Sequence, residues 1–327
     1  MIDMHLYREL SINVVGVGCR GIHVIDSMIE AGTTTSVKYI AVDTETISLE
    51  ATKADKAIRI GSGLRPKKPS VSNPKWGAKA AREAQNELEA DFKDAHIVFV
   101  ISEFDDLTTA GAALVVAGIA KQLGILTVCL VITPFALESK RFQKKRAERA
   151  IKELYSQADM VMAVSEKNIL DLYDAEREVP ETYREANGFI RHVIQDMIQS
   201  FTIAGIINLD YSDFSTFAKN AGRAYVGIGI GTGDAMAEKA MHMAMQGSLS
   251  TGGIRKAARI LLAVTCSDDT LYEEVNSVLK TITNAANPDA EIICGVALDQ
   301  SMNRSMRVFL IAAEFAPDNV LRYMYFI

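Results

Sequence analysis

Three glycines near the start of the chain have the spacing of a phosphate-binding turn. Gly16, Gly18 and Gly21 form a G-x-G-x-x-G pattern that follows an apolar run and precedes a helical pattern. In that setting the glycines allow a tight turn and a close backbone approach, and a phosphate lies at the positive end of the helix. Asp43 ends the next apolar run, where an acid can bind a ribose 2′-hydroxyl. By themselves these residues indicate either a dinucleotide-binding site or a tight turn that binds nothing.

The elements that must position this turn are apolar strands alternating with helices. Apolar runs that read as strands lie at 12–17, 37–43, 96–101, 125–132 and 159–164. The helical patterns between and after them include 74–92, 108–123 and 138–157. Buried strands that alternate with helices form a parallel sheet covered on both faces. The first half of the chain is therefore predicted to be an α/β domain.

The second half begins with a long helix after Pro180. Its apolar residues recur at steps of three and four over 181–201, which predicts a helix with one face in a core. Further strands are predicted at 224–230, 259–266, 291–298 and 306–314, with helices at 212–219, 234–246 and 269–285. The late strands are consecutive, which predicts a second domain with a mixed sheet.

Composition and charge exclude several classes of protein. The chain has 327 residues, 49% of them hydrophobic and 23% charged, which is typical of a soluble globular protein of about two domains. The net charge of −6 argues against nucleic acid as a partner. No apolar run reaches the roughly 18 residues of a membrane span, so a cytoplasmic protein without direct membrane insertion is predicted. The cysteines have neither zinc nor redox spacing, and no metal site is predicted; they are Cys19, Cys129, Cys266 and Cys294.

A second polar group follows the long helix. Asn208, Asp210 and Asp213 have the spacing Asn-x-Asp-x-x-Asp in the segment IAGIINLDYSD. This segment resembles the synergy loop of FtsZ and its tubulin relatives. The resemblance extends from residue 12 to about residue 315. It includes AVDTE at 41–45, the NPxxG pattern that begins at Asn73, GILTVCLVITPF at 124–135 and AEIICGVALD at 290–299.

The resemblance implies a three-part organisation. Residues 1–180 would form a tubulin-like, Rossmann-type nucleotide domain with GTPase architecture. Residues 181–203 would form a central helix, and residues 204–327 a C-terminal α+β activation domain.

The resemblance also implies the positions of a GTP or GDP site. Gly18, Gly21, Thr108 and Gly111 match positions that hold the phosphates in the family. The ribose and guanine positions are matched by Glu138, Tyr183 and Asn187. Tyr183 can stack on a base, but its place in an apolar stripe also suits a core residue.

Catalysis in this family is completed by a neighbouring subunit of a filament. The resemblance therefore implies that Asn208, Asp210 and Asp213 act in trans, on the nucleotide of the next molecule. The alternative is structural, since Asp210 and Asp213 can cap the helix that begins near Ser212.

The phosphate loop departs from the family pattern. The family sequence GGGTGTG is replaced by DDLTTAG at 105–111, and Glu103 replaces another glycine. Two like charges at about 4 Å repel by roughly 1 kcal/mol in water and about 4 kcal/mol at an effective dielectric constant of 20. Two interpretations remain open for the nearby cations, which are Arg20, Arg65, Lys67 and Lys68. They pair with Asp105 and Asp106 and fill an empty pocket, or they bind phosphate while the acids coordinate Mg²⁺.

Three functional hypotheses follow. The first is an FtsZ-like cytoskeletal protein that forms or modulates filaments, with weak or lost GTP binding and hydrolysis, whose partner is itself or a genuine FtsZ. The second is an active polymerisation-dependent GTPase with a rewired phosphate loop. The third is a Rossmann NAD-binding protein, based on the glycine turn and Asp43.

Overall fold

The computed structural model describes residues 10–32, 37–63, 73–133, 141–165, 169, 179–203, 205–246 and 253–315. The chain divides into two compact units, Met1–Val161 and Met162–Ile327. The domain boundaries predicted at residues 180 and 203 stay predictions.

The first unit contains a parallel sheet. Its strands are β1 (Ile12–Val17), β2 (Val37–Asp43), β3 (Lys56–Arg59), β4 (Ile97–Glu103) and β5 (Leu126–Thr133), and β6 (Met160–Ser165) starts at the end of the unit. The order is β3-β2-β1-β4-β5, with every pair parallel. Every residue of β1 is buried, as expected for a strand inside a parallel sheet. The predicted parallel sheet is confirmed for these strands.

Six helices accompany the strands in the described part of the first unit. They are α1 (Gly18–Ala31), α2 (Thr46–Ala51), α3 (Pro74–Glu83), α4 (Gln85–Phe92), α5 (Leu107–Gln122) and α6 (Arg141–Gln157). The single helix predicted over 74–92 is wrong, because α3 ends at Glu83 and α4 begins at Gln85. Ala84 between them has φ −94° and ψ 11°, outside helical geometry.

The second unit contains a mixed sheet, as predicted. Its described elements are α7 (Val179–Thr202), α8 (Tyr211–Ala218), β7 (Gly222–Thr232), α9 (Met236–Met245), α10 (Gly253–Lys256), β8 (Ala257–Cys266), α11 (Tyr272–Ala285), β9 (Glu291–Leu298) and β10 (Ser305–Phe315). The order is β7-β10-β8-β9. Strand β10 is antiparallel to β7 and β8, and β8 is parallel to β9. Residues from α9 and α11, such as Met241 and Ile282, share a core with the sheet.

A buried ion pair connects α7 to this sheet. Arg307 on β10 donates from Nη1 to Oδ1 of Asp196 on α7 at 3.1 Å. The Asp196 side chain is only 6% exposed. Burial raises the pKa of Asp196, and the Arg307 charge opposes that shift. Removing Arg307 would leave the Asp196 carboxylate buried without this partner, so the pair fixes how α7 lies on β10.

Candidate functional site

The glycine turn between β1 and α1 is held by backbone contacts. A Cβ atom on Gly16 would lie 2.5 Å from the carbonyl oxygen of Gly21, and one on Gly21 would lie 2.4 Å from that of Ile101. Gly18 has φ +77°, and a Cβ atom there would lie 2.5 Å from Cγ2 of Thr109. All three positions therefore require glycine for packing, whether or not a ligand binds. The turn also brings the start of α1 next to the start of α5.

The start of α1 lies among carboxylates. No side chain caps the first turn of α1 within the described ranges, and that turn contains no acid of its own. Burial raises the pKa of the Cys19 thiol, and the charges of Asp43 and Glu103 raise it further, against a smaller opposing effect of Arg20. The thiol is therefore protonated at neutral pH. The same carboxylates disfavour any other negative group at this position.

The carboxylate of Asp106 caps the start of α5. Asp106 accepts hydrogen bonds from the backbone N–H of Thr108 at 3.0 Å and of Thr109 at 3.2 Å. Its Oδ2 also accepts from Oγ1 of Thr109 at 3.0 Å. Free N–H groups at a helix N-terminus are the groups that bind phosphate. An anion at this end of α5 must first displace the Asp106 side chain, so the described residues here do not fit a phosphate.

Two further residues predicted to bind phosphate take part in the contact between α3 and α5. Oγ1 of Thr108 accepts a hydrogen bond from the backbone N–H of Asn73 at 3.1 Å. A Cβ atom on Gly111 would lie 2.0 Å from the carbonyl oxygen of Pro74, and one on Gly77 would lie 1.9 Å from that of Thr108. Packing thus accounts for Thr108 and Gly111 without a ligand.

Asp43 makes hydrogen bonds to its own neighbours. Its Oδ1 accepts from the backbone N–H of Thr44 at 2.6 Å and of Glu45 at 3.2 Å. Its Oδ2 accepts from Oγ of Ser48 at 2.7 Å. The carboxylate therefore holds the connection from β2 to α2. A ribose hydroxyl would have to compete with these bonds.

The residues that resemble a synergy loop make local hydrogen bonds in the second unit. Asp210 accepts from the backbone N–H of Asp213 at 2.9 Å, and Asp213 accepts from that of Asp210 at 3.1 Å. These reciprocal bonds form a capping box at the start of α8, which confirms that the two acids cap this helix. Oδ1 of Asn208 accepts from the backbone N–H of Gly205 at 2.7 Å. All three side chains remain exposed, and their action on a neighbouring molecule stays a prediction.

The residues predicted to bind ribose and guanine are only partly described. Asn187 lies on α7 and is partly buried. Glu138 lies outside the described residues, and so does the side chain of Tyr183. Arg65, Lys67 and Lys68, the cations predicted near the phosphate loop, also lie outside them.

The described residues contain neither a group of three or more metal-binding side chains nor a membrane-spanning helix. No three His, Cys, Asp or Glu side chains among them are arranged to hold a metal ion. Within the same ranges, no helix has both the length and the apolar character needed to cross a membrane.

Comparisons with known families match both units. The GTPase-domain model of the Tubulin/FtsZ family matches residues 11–174, and the C-terminal-domain model of the FtsZ family matches residues 222–316. A tryptophan-to-tyrosine mutant of FtsZ from M. jannaschii is 29% identical with a TM-score of 0.85, and the match covers 94% of this chain and 92% of that one. An empty FtsZ dimer from M. jannaschii is also 29% identical with a TM-score of 0.84, over 93% of this chain and 88% of that one.

A more distant structure shares the fold alone. CetZ2 from Haloferax volcanii, in a GTPγS-bound protofilament, is 17% identical with a TM-score of 0.75, and the match covers 93% of this chain and 94% of that one. Together these matches confirm the predicted fold class, a nucleotide-type α/β domain followed by a C-terminal domain.

Proposed function

The chain belongs to the Tubulin/FtsZ family, and from that premise we propose that it is an FtsZ-like cytoskeletal protein with weak or lost GTP binding and hydrolysis. It forms filaments of itself, or modulates those of a genuine FtsZ, through longitudinal contacts between subunits. Self-association is supported by the FtsZ dimer and the CetZ2 protofilament among the similar structures.

The observation that carries the nucleotide part of this proposal is the cap on α5. The N–H groups of Thr108 and Thr109 are bonded to Asp106, and Glu103 lies close enough to Cys19 to raise the pKa of its thiol. Micromolar affinity corresponds to only about 8 kcal/mol of binding free energy. Since one like-charge contact at about 4 Å can cancel roughly 1–4 kcal/mol, a few such contacts remove most of it.

The first test is the nucleotide content of the purified protein. We expect far less than one guanine nucleotide per chain when nucleotide is released with acid and quantified by chromatography. An FtsZ purified in the same buffers serves as the control for losses during purification. A stoichiometric yield of GTP or GDP would contradict the proposal and favour the active GTPase with a rewired phosphate loop.

The second candidate function, an active GTPase with a rewired phosphate loop, is supported by the start of α1. Its first turn carries no capping side chain within the described ranges, so its N–H groups can still receive a phosphate, with Arg20 nearby. Mg²⁺ would enter this site only together with a nucleotide. The third hypothesis, an NAD-binding protein, loses support because Asp43 is already bonded to Thr44, Glu45 and Ser48.

The synergy loop supplies a prediction about a genuine FtsZ as partner. The exposed carboxylates of Asp210 and Asp213 would meet the GTP of an FtsZ subunit in a mixed filament. We expect the protein to change the GTPase rate and the sedimentation of FtsZ from the same cell. Asp213→Asn should abolish the effect on the rate, because the amide oxygen can still accept the bond from Asp210 N–H while the charge is lost.

The control for this experiment is Asp289→Asn, which removes an exposed acid elsewhere in the second unit. If the unmodified protein leaves both readouts unchanged, mixed filaments do not form. If Asp213→Asn acts like the unmodified protein, the carboxylate of Asp213 only caps α8.

A further inference from the structure

A thiol and an imidazole lie side by side on the first turns of α1. Cys19 and His23 are four residues apart, so they share one face of the helix. Sγ of Cys19 lies 3.8 Å from Nε2 of His23. Both side chains are exposed, so packing of the fold does not account for either of them. The spacing between cysteines does not reveal this pair, because its second member is a histidine.

The distance between the sulfur and the nitrogen suits a metal ion bound by both. Zinc binds thiolate sulfur at about 2.3 Å and imidazole nitrogen at about 2.0–2.1 Å. Two such ligand atoms at a tetrahedral angle are about 3.6 Å apart. The observed 3.8 Å therefore needs a movement of only a few tenths of an ångström, which exposed side chains can make. Two ligands at positions i and i+4 of one helix is also the spacing of helical zinc motifs.

The charges around this pair favour a cation. Burial raises the pKa of the Cys19 thiol, and the charges of Asp43 and Glu103 raise it further, against a smaller effect of Arg20. The two carboxylates are thus close enough to act on the sulfur atom. They disfavour a bare thiolate, and by the same interaction they attract a metal ion that binds this sulfur.

The described part of the chain supplies two ligands for such an ion. No third His, Cys, Asp or Glu among the described residues is placed to complete a group of metal ligands. Asp26 follows on the same face of α1, but its Oδ1 accepts from Oγ1 of Thr52 at 2.7 Å and from the backbone N–H of Lys53 at 2.8 Å. Water would therefore fill the remaining positions, as it fills the open position of catalytic zinc sites.

We propose that Cys19 and His23 bind one divalent transition-metal ion of the class of Zn²⁺ and Co²⁺, through the thiolate sulfur and Nε2. Thiolate and imidazole select ions of this class, whereas Mg²⁺ and Ca²⁺ prefer oxygen ligands. On binding, the S–H bond of Cys19 breaks, a sulfur–metal bond forms and the proton goes to the solvent. The site is independent of the proposed function, because it needs neither a nucleotide nor a second molecule.

The test is a titration of the full chain with Co²⁺ in the absence of nucleotide. The visible bands of Co²⁺ report its coordination geometry, and a charge-transfer band in the near ultraviolet reports a bond between cobalt and a thiolate. We expect both signals to saturate at one Co²⁺ per chain. Zn²⁺ should displace the cobalt, because it binds such ligands more tightly. An excess of Mg²⁺ should leave the bands unchanged, because it prefers oxygen ligands.

Two substitutions test the two ligands separately. Cys19→Ser should abolish the charge-transfer band, and His23→Gln should weaken Co²⁺ binding by about tenfold or more. Both side chains are exposed, so the fold should survive, which circular dichroism verifies. The matched controls are Cys294→Ser, which removes a partly buried thiol of the second unit, and His242→Gln, which removes an exposed imidazole on α9. Both controls should bind Co²⁺ like the unmodified chain.

A second measurement follows the Cys19 thiol directly. Iodoacetamide alkylates exposed thiols, and mass spectrometry identifies the modified residue. Zn²⁺ should protect Cys19 from the reagent in the unmodified chain and protect it less in His23→Gln. Three results would each overturn the proposal: no charge-transfer band in the unmodified chain, a band that persists in Cys19→Ser, or equal Co²⁺ affinity in His23→Gln and the unmodified chain.

Discussion

Replacing Asp105 and Asp106 together with glycine is expected to raise the affinity for GTP by one to two orders of magnitude. The change removes two negative charges beside the terminal phosphates, which is worth roughly 2–3 kcal/mol. It also frees the N–H groups of Thr108 and Thr109, which now bond to Asp106. Glycine is tolerated at a helix N-cap at a cost of only a few tenths of a kcal/mol, so the fold should survive.

A single substitution distinguishes the effect of the Asp106 charge from the effect of its hydrogen bonds to the start of α5. Asp106→Asn removes the charge but keeps one oxygen, which can still accept from the N–H of Thr108 or of Thr109. It should therefore raise GTP affinity less than the glycine pair does. Binding is measured by equilibrium dialysis and by the emission of Trp76, the only tryptophan. Asp94→Gly, an exposed acid after α4, is the matched control. If the glycine pair leaves the affinity unchanged, the Asp105 and Asp106 carboxylates are not what excludes GTP.

Gly111→Ala is expected to destabilise the protein by about 3 kcal/mol, at the upper end of the range for overpacking. The new Cβ atom would lie 2.0 Å from the carbonyl oxygen of Pro74, and this neighbour is backbone that cannot move aside alone. A loss of about 3 kcal/mol corresponds to a fall of roughly 6–12 °C in Tm for a domain of this size. Thermal unfolding followed by circular dichroism measures it.

Gly118→Ala in the same helix is the control. Its Cβ atom would lie 2.6 Å from Oε1 of Gln157, the end of a flexible side chain that can turn away. Alanine favours a helix over glycine by about 1 kcal/mol, so Tm should stay the same or rise. If Gly111→Ala unfolds at the same temperature as the unmodified chain, packing does not require Gly111. Its match to the family phosphate loop would then indicate a ligand contact.

Most of the fold could be predicted because the strands of the first unit are continuous apolar runs. The exceptions lack that signal. Strand β3 has a single fully buried residue, Ile58, so no apolar run reveals it. The break at Ala84 was also invisible, because alanine is a good helix former and the interruption shows only in the backbone angles.

The sequence predicts which residues form the candidate site better than it predicts what each of those residues does. The sequence places Asp106 in the phosphate loop, and an Asp directly before an apolar helix is a capping signal that could have indicated its hydrogen bonds. No such signal exists for Gly77 and Gly111, because each faces a backbone carbonyl more than 30 residues away in sequence, that of Thr108 and that of Pro74. Sequence spacing alone allowed Asp210 and Asp213 either to cap α8 or to act on a neighbour. The structure shows the capping bonds, and both carboxylates remain exposed to solvent on their other side.

The reciprocal bonds between Asp210 and Asp213 also bear on how fast this surface can be engaged. Side chains that must be immobilised on binding lower affinity by about 0.5–1.5 kcal/mol each. Here backbone N–H groups at the start of α8 already hold both carboxylates in place. The conformational entropy of these side chains is therefore lost during folding and not when a partner binds. A molecule that meets this loop therefore finds its charges in a fixed geometry, and productive collisions need no prior rearrangement on this side.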